Sequence, residues 1–242
     1  MSGAVSDERR DGAALRVGTY NVRSMYGDTA ALARVIRAMA PAVLCVQEAP
    51  RLAGWRRKRA SLAGGAGLRL VSGRRAGGVA VLAAPDVGVL HAGGHLLRGF
   101  AGLERRAVAL AVVERHGVRL TVASVHLDLS APARMCHAAE IMALAGPLAA
   151  RFEAPLVLAG DVNEPPGGPV WRYLGRGLAD CYPLAPYGDG LTFTARRPGR
   201  RIDAVFAAPA LRVRSCGTVD AMAADLTAAT DHLPVVAELL AG

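Results

Sequence analysis

The chain has 242 residues, of which 52% are hydrophobic and 20% charged, and a formal net charge of +9. That length supports a substantial core, and that composition excludes a disordered polar chain. No stretch approaches the roughly 20 apolar residues of a membrane-spanning helix, so no membrane insertion is expected.

The first dozen residues, 1–12, are polar and read as a flexible tail without the apolar core of a signal peptide. Residues 13–242 then read as one domain, expected to be cytoplasmic and monomeric. Apolar or alternating runs bounded by turn residues predict strands at Leu15–Asn21 and at 42–47, 79–83, 107–113, 119–125, 156–159, 202–206, 211–219 and 234–240. Between the first two, Asp28 or Thr29 can cap a helix with Leu32, Val35, Ile36 and Met39 on one face, stopped by Pro41. Residues 51–62 read as a basic helix ending at Gly64-Gly65, Ala131–Phe152 as a long helix with a bend at Gly146-Pro147, and a short helix follows Gly168. Strands 107–113 and 119–125 are joined by Arg115-His116-Gly117, a hairpin connection. The mixture of hairpins and helices predicts buried sheets with helices outside, rather than a uniform doubly wound sheet.

The four cysteines, at 45, 136, 181 and 216, form no C-x-x-C pair, and Cys45 inside an apolar run reads as a buried reduced thiol. The positive charge favours a polyanionic partner, either nucleic acid or a phosphorylated ligand. Only Lys58 is a lysine, so the arginine excess equally fits a compositional bias.

Polar residues at the ends of apolar strands carry the chemistry. These are Asn21, Glu48, His126, the pair Asp161 and Asn163, and Asp231 with His232 before the last strand. Asp203 sits between Ile202 and Ala204-Val205, where a carboxylate is partly desolvated and must find a partner. Each alone has an ordinary reading, as a turn former, a solvated strand end or a core histidine. Together, carboxylates, imidazoles and amides form an inventory for phosphoester hydrolysis. Oxygen ligands suit a hard ion such as Mg²⁺, a further carboxylate can orient water, and a histidine can donate to phosphate. Alternation along extended chain lets Asp161 and Asn163 face one site, whereas Asp231 and His232 diverge.

The chain resembles the endonuclease/exonuclease/phosphatase superfamily, the deoxyribonuclease I-like group. The matching motifs are Thr19-Tyr20-Asn21-Val22-Arg23, Val46-Gln47-Glu48, Ser124-Val125-His126-Leu127, Gly160-Asp161-Val162-Asn163, Arg201-Ile202-Asp203-Ala204-Val205 and Thr230-Asp231-His232-Leu233-Pro234-Val235, in the family's order over about residues 15–240. The resemblance implies a four-layer α/β/β/α sandwich of two mixed sheets with the site at one edge. It implies that Asn21, Glu48 and Asp231 lie on the metal side, with Glu48 the principal ligand of Mg²⁺ or Mn²⁺. It implies that His126, Asp161, Asn163, Asp203 and His232 are catalytic: Asp161 and Asn163 position water and a phosphate oxygen, Asp203 orients His232, and His126 contacts phosphate. The chain departs from the family's pattern at Val162 and Ala204, where aromatics are usual, and at Arg23, where some nucleases carry an acid. No large DNA-gripping insertion is recognisable, although Trp55-Arg56-Arg57-Lys58-Arg59 can touch a phosphate backbone. The expected activity is metal-dependent phosphoester hydrolysis, as a phosphodiesterase or nuclease. The alternatives are a phosphatase or phosphodiesterase acting on a small-molecule or lipid phosphate ester, and a non-catalytic binding protein on the same fold.

Overall fold

A computed structural model describes residues 14–241; the expected tail lies outside the described residues. The chain runs through β1 (Leu15–Asn21), α1 (Thr29–Met39), β2 (Val43–Gln47), α2 (Trp55–Gly65), β3 (Arg69–Ser72), β4 (Ala80–Ala83) and β5 (Gly88–Leu96). It continues with β6 (Ala107–Arg115), β7 (Val118–His126), α3 (Ala131–Phe152), β8 (Leu156–Asp161) and α4 (Pro169–Leu174). Short elements follow, β9 (Ala179–Asp180), α5 (Cys181–Leu184) and β10 (Pro186–Tyr187), and then β11 (Asp203–Ala207), β12 (Leu211–Gly217), α6 (Ala223–Ala229) and β13 (Val235–Ala241).

Two mixed sheets result. One has the order β10-β12-β13-β1-β2-β4-β3 and the other β5-β6-β7-β8-β11-β9. Val17, Cys45, Val81, Ala109, Val122, Val157, Val205 and Ala237 interdigitate between the sheets. On the outer face of the first sheet Leu44 and Leu82 pack under Leu32, Val35, Ile36 and Met39 of α1. On the outer face of the second, Leu158 and Phe206 pack under Ile141 of α3 and Trp171 of α4. This is the expected four-layer α/β/β/α sandwich. Strands buried on both faces need near-continuous apolar runs, which is what β2, β6, β7 and β8 supply.

Asp28 is the cap of α1: its Oδ1 accepts from Ala30 N at 2.8 Å and Ala31 N at 3.1 Å. Helix α2 starts at Trp55, later than residue 51, because Gly54 precedes it in a left-handed conformation at φ 73°. Helix α3 runs unbroken past Pro147. The hairpin of β6 and β7 pairs Arg115 with Val118 across His116-Gly117. Besides the short β9, α5 and β10, three elements were not anticipated. Strand β5 carries three glycines and two histidines and lies at a sheet edge, β3 is a short edge strand, and α6 is a seven-residue helix tied to α1 by Arg34 and Asp225.

Strand direction places the polar ends together. Strands β1 and β2 run parallel, as do β7 and β8, so their C-termini bring Asn21, Glu48, His126 and Asp161 to one edge. Strands β11 and β13 run antiparallel to β8 and β1, so their N-terminal ends deliver Asp203 and the Asp231-His232 segment to the same edge. Beneath this edge a buried polar ladder crosses from sheet to sheet. Thr19 Oγ1 donates to Gln47 Oε1 at 3.0 Å, Gln47 Nε2 donates to Ser124 Oγ at 3.4 Å, and Ser124 Oγ donates to Val46 O at 3.2 Å.

Candidate active site

The edge opens into a cleft of about 640 Å³ lined by Glu48, His126, Asp161, Asn163, Asp231 and His232. Asn21 and Asp203 lie beneath its floor, fully buried. All eight sequence-predicted residues are therefore at one place.

Asp161 Oδ2 is the hub. It accepts from Asn21 Nδ2 at 3.1 Å and lies 3.5 Å from His126 Nε2 and 3.8 Å from His232 Nε2. Its other oxygen accepts from Asn163 N at 2.9 Å, and Asn163 Nδ2 donates to Leu127 O at 3.0 Å. Asn163 sits at φ 55°, a left-handed conformation that asparagine tolerates better than most residues. Glycine at 160 is required by a close approach: a Cβ there would lie 1.9 Å from Val125 O on the adjacent strand.

Asn21 acts as a brace. Its Nδ2 also donates to Glu48 Oε1 at 3.0 Å, and its Oδ1 accepts from Arg23 N at 3.1 Å. One side chain thus ties together the carboxylates of Glu48 and Asp161, one from each sheet. Glu48 is held at φ 49°, a conformation that costs a non-glycine residue about 1–2 kcal/mol. The chain around it is fixed by Ser24 N donating to Glu48 O at 2.8 Å. Arg23, Ser24 and Met25 all have positive φ, and this left-handed turn carries Arg23 Nε to 3.4 Å from Asp231 Oδ2.

His232 Nδ1 and Asp203 Oδ2 are 2.9 Å apart, both buried. The Asp203 backbone N donates to Thr192 Oγ1 at 3.1 Å, and Leu233 N donates to Thr192 O at 2.7 Å, so Thr192 fixes both partners of the pair. Phe193 packs its ring 4.9 Å from the imidazole.

The two histidines are driven in opposite directions. Burial disfavours the charged ring of His232, but the charge and hydrogen bond of Asp203, with Asp161 and Asp231 behind them, outweigh it and raise the pKa to about 9. For His126 burial and the positive charges of Arg106, His232 and Arg51 act together and hold the pKa well below 6.5. Burial, then the Asp203 charge, push Asp161 up to about 7, against the opposing pull of His232, Asn21 and the Asn163 amide. The site therefore favours the charged form of His232 and the neutral form of His126, and it favours the protonated form of Asp161 more than an ordinary carboxyl environment does.

Carboxylate oxygens at the cleft suit a hard cation. Glu48, Asp161 and Asp231 all line it, and Arg23 Nε lies 3.4 Å from Asp231 Oδ2. Among the described residues, Asp161, Asp203 and His232 are the group of three whose ligand atoms lie within 4.8 Å of one another. Asp203 Oδ2 and His232 Nδ1 are committed to each other, while Asp203 Oδ1 is buried without a hydrogen-bond partner and His232 Nε2 lies 3.8 Å from Asp161 Oδ2. A cation beside Asp161 would also offset the burial that raises its pKa.

Sequence reasoning missed Thr192 and, on the rim, Glu104, Arg106 and Asp128, which cluster with Arg51 of the basic segment. Asp128 alternates with His126 along the chain and was findable on that ground. Nothing local marks Thr192, whose role arises from contacts ten and more residues away.

A hub carboxylate, a buried Asp–His pair and further carboxylates on the cleft are groups that suit phosphoester hydrolysis. The chain belongs to the Endonuclease/Exonuclease/phosphatase family, whose sequence profile matches residues 18–232. Among solved structures it is similar to the mannosyl-6-phosphatase of Bacteroides thetaiotaomicron VPI-5482, at 19% identity and TM-score 0.80, over 93% of this chain and 99% of that one. It is similar to the human Nocturnin catalytic domain with bound sulfate anion, at 17% identity and TM-score 0.73, over 95% of each chain. TDP2 from Caenorhabditis elegans matches at 15% identity and TM-score 0.70, over 94% of this chain and 75% of that one. At such identities the likeness shows the deoxyribonuclease I-like fold. No curated protein matches the chain. Among the described residues no helix is long and apolar enough to cross a membrane.

Proposed function

We propose that the protein is a divalent-metal-dependent phosphodiesterase of the nuclease kind. The observation that carries this reading is the convergence on Asp161 Oδ2 of Asn21, His126 and His232, with Asp203 behind His232. Water attacks phosphorus in line. Asp161, at the centre of the site's hydrogen bonds, orients it and accepts its proton. His232 is protonated at neutral pH, so it acts as a donor to a phosphoryl or leaving oxygen, and Asp203 fixes its Nδ1 side. His126, held neutral, donates one hydrogen bond to phosphate, and Asn163 offers its amide to a phosphate oxygen. Glu48 and Asp231 are the residues to hold Mg²⁺, for which Mn²⁺ can substitute, and Asn21 braces Glu48. Such an ion polarises the phosphoryl oxygen and neutralises developing charge.

The nuclease reading is supported by the net charge of +9 and by exposed Arg56, Arg57 and Lys58 on α2, next to rim residue Arg51. A small-molecule or lipid phosphate ester is the second reading, favoured by Leu103 and Leu129, which are exposed apolar residues on the lip of the cleft. The test is a panel of DNA, RNA, phosphoinositide, sphingomyelin and a sugar phosphate with Mg²⁺ at two salt concentrations. Hydrolysis of nucleic acid that weakens steeply with salt is expected. Salt-insensitive turnover of a lipid or sugar phosphate, with DNA and RNA intact, would overturn the nuclease reading in favour of the second.

A further inference from the structure

Arg106 acts on the proposed chemistry only through its charge, which helps to keep His126 neutral, yet its side chain faces the same cleft. It lies immediately before β6, and its side chain is only 7% exposed. A guanidinium buried so deeply normally has its donors engaged. Here Nε has no hydrogen-bond partner. Its two acidic neighbours stand off: Asp128 Oδ2 is 3.7 Å from Nε, and Glu104 Oε2 is 3.7 Å from Nη1. Both distances exceed a hydrogen bond. Arg51 stands beside it on the cleft wall, with Nη2 2.8 Å from Glu104 Oε1. Glu104 therefore straddles two guanidinium groups as an anionic ligand would. It is 57% exposed, and exposed ion pairs hold weakly. Asp128, by contrast, is buried and fixed by Ser130 N at 2.8 Å.

We propose that Arg51 and Arg106 form a second anion subsite, which takes a phosphate borne by the substrate next to the one hydrolysed, and that Glu104 occupies this subsite until the substrate displaces it. The inference rests on the phosphoester-hydrolase reading and deepens it by naming the substrate class: an ester with two phosphates in close succession. Two guanidinium forks suit phosphate, whose oxygens accept paired N–H donors. Once Glu104 leaves, two guanidinium charges face one fixed carboxylate, so the subsite is net positive. Arg75 Nε donates to Arg51 O at 2.8 Å, so a further exposed arginine stands just beyond the subsite.

Calorimetric titration of the full chain, with Mg²⁺ in excess, compares adenosine 5′-monophosphate with adenosine 3′,5′-bisphosphate. The bisphosphate is expected to bind about tenfold more tightly, equivalent to about 1.4 kcal/mol. Arg51→Gln should abolish most of that preference while changing the monophosphate affinity far less. Arg106→Lys, which keeps a buried charge but loses the fork, should do the same, and Glu104→Gln should enlarge the preference. Equal affinity for the two nucleotides, or a preference that survives both Arg51→Gln and Arg106→Lys, would overturn the subsite. Because binding rather than turnover is read, that failure is distinct from failure of the hydrolytic reading, which would appear as no turnover of bis(p-nitrophenyl) phosphate. Competition by a single-stranded deoxyadenosine tetranucleotide, weakened by Arg75→Gln, identifies the second phosphate as part of a nucleic-acid chain. Bisphosphate binding without such competition assigns it to a small substrate.

Discussion

Asp161 and Asp203 stand directly opposite each other in the antiparallel register of β8 and β11, two buried carboxylates on neighbouring strands. Like charges so placed oppose folding. His232 answers both, with Nδ1 2.9 Å from Asp203 Oδ2 and Nε2 3.8 Å from Asp161 Oδ2. The imidazolium thus belongs as much to the stability of this edge as to its chemistry.

Removing either half of the Asp–His pair should therefore separate orientation from charge. His232→Gln and Asp203→Asn are each expected to lower kcat by about 10²–10⁴-fold, the range of a positioned proton donor, with the far-ultraviolet spectrum unchanged. Steady-state kinetics on bis(p-nitrophenyl) phosphate measures this. Near-wild-type turnover in both variants would remove His232 from the mechanism.

The pH dependence of stability has a defined sign. The folded-state pKa of His232, about 9, lies above its unfolded value of about 6.5, so its contribution is fully present below pH 6.5 and disappears as pH rises through 9. The difference in unfolding free energy between wild type and His232→Gln, measured by urea denaturation with chelator present, should shrink by roughly 3 kcal/mol between pH 6 and pH 10. A difference that stays constant over that interval would contradict the charged pair.

Arg23 beside Asp231 gives a less intuitive expectation. Glu48→Gln should eliminate the rise in Tm that Mg²⁺ produces, because the proposed principal ligand is gone. Arg23→Gln should instead strengthen Mg²⁺ binding by about two- to fivefold, as it removes a competing exposed ion pair from Asp231. Mg²⁺ titrations followed by thermal shift read both. Weaker binding in Arg23→Gln would show that the arginine supports the cradle instead of competing with it.

Gly160 tests the backbone under the hub. Its absent Cβ would meet Val125 O at 1.9 Å, so Gly160→Ala must push β7 and β8 apart. The expected cost is about 1–3 kcal/mol, together with loss of activity through displacement of His126 and Asp161, which pair in register on those strands. Urea unfolding and turnover of the same preparation measure the two effects.

The elements legible in the sequence are those whose physics is local. Strands β2, β7 and β8 are apolar runs that stop at a polar residue, so Glu48, His126 and Asp161 could be picked out by that stop alone. Asp28 and its helix were visible from a cap and one apolar face. Strand β5 was hidden because Gly93, Gly94, His91 and His95 carry weak strand preference; its pairing with β6 overrides them. Helix α6 owes its place to α1, a contact that spans 191 positions between Arg34 and Asp225. The rim cluster was invisible for a similar reason. Arg51 and Glu104 meet across 53 positions, and no periodicity records a loop-to-loop encounter. Asn21 was recognised as a site residue, but its work as a brace depends on Asp161, 140 residues away.

The ladder from Thr19 through Gln47 to Ser124 acts as an alignment pin between the two sheets. A slip of one residue along a strand moves a side chain by about 3.3 Å and turns it to the opposite face. Asn21 and Glu48 ride on one sheet and Asp161 on the other, so any such slip separates the brace from its second carboxylate completely. The two hydrogen bonds of one amide thus tie the geometry of the cleft floor to the way the two sheets are docked.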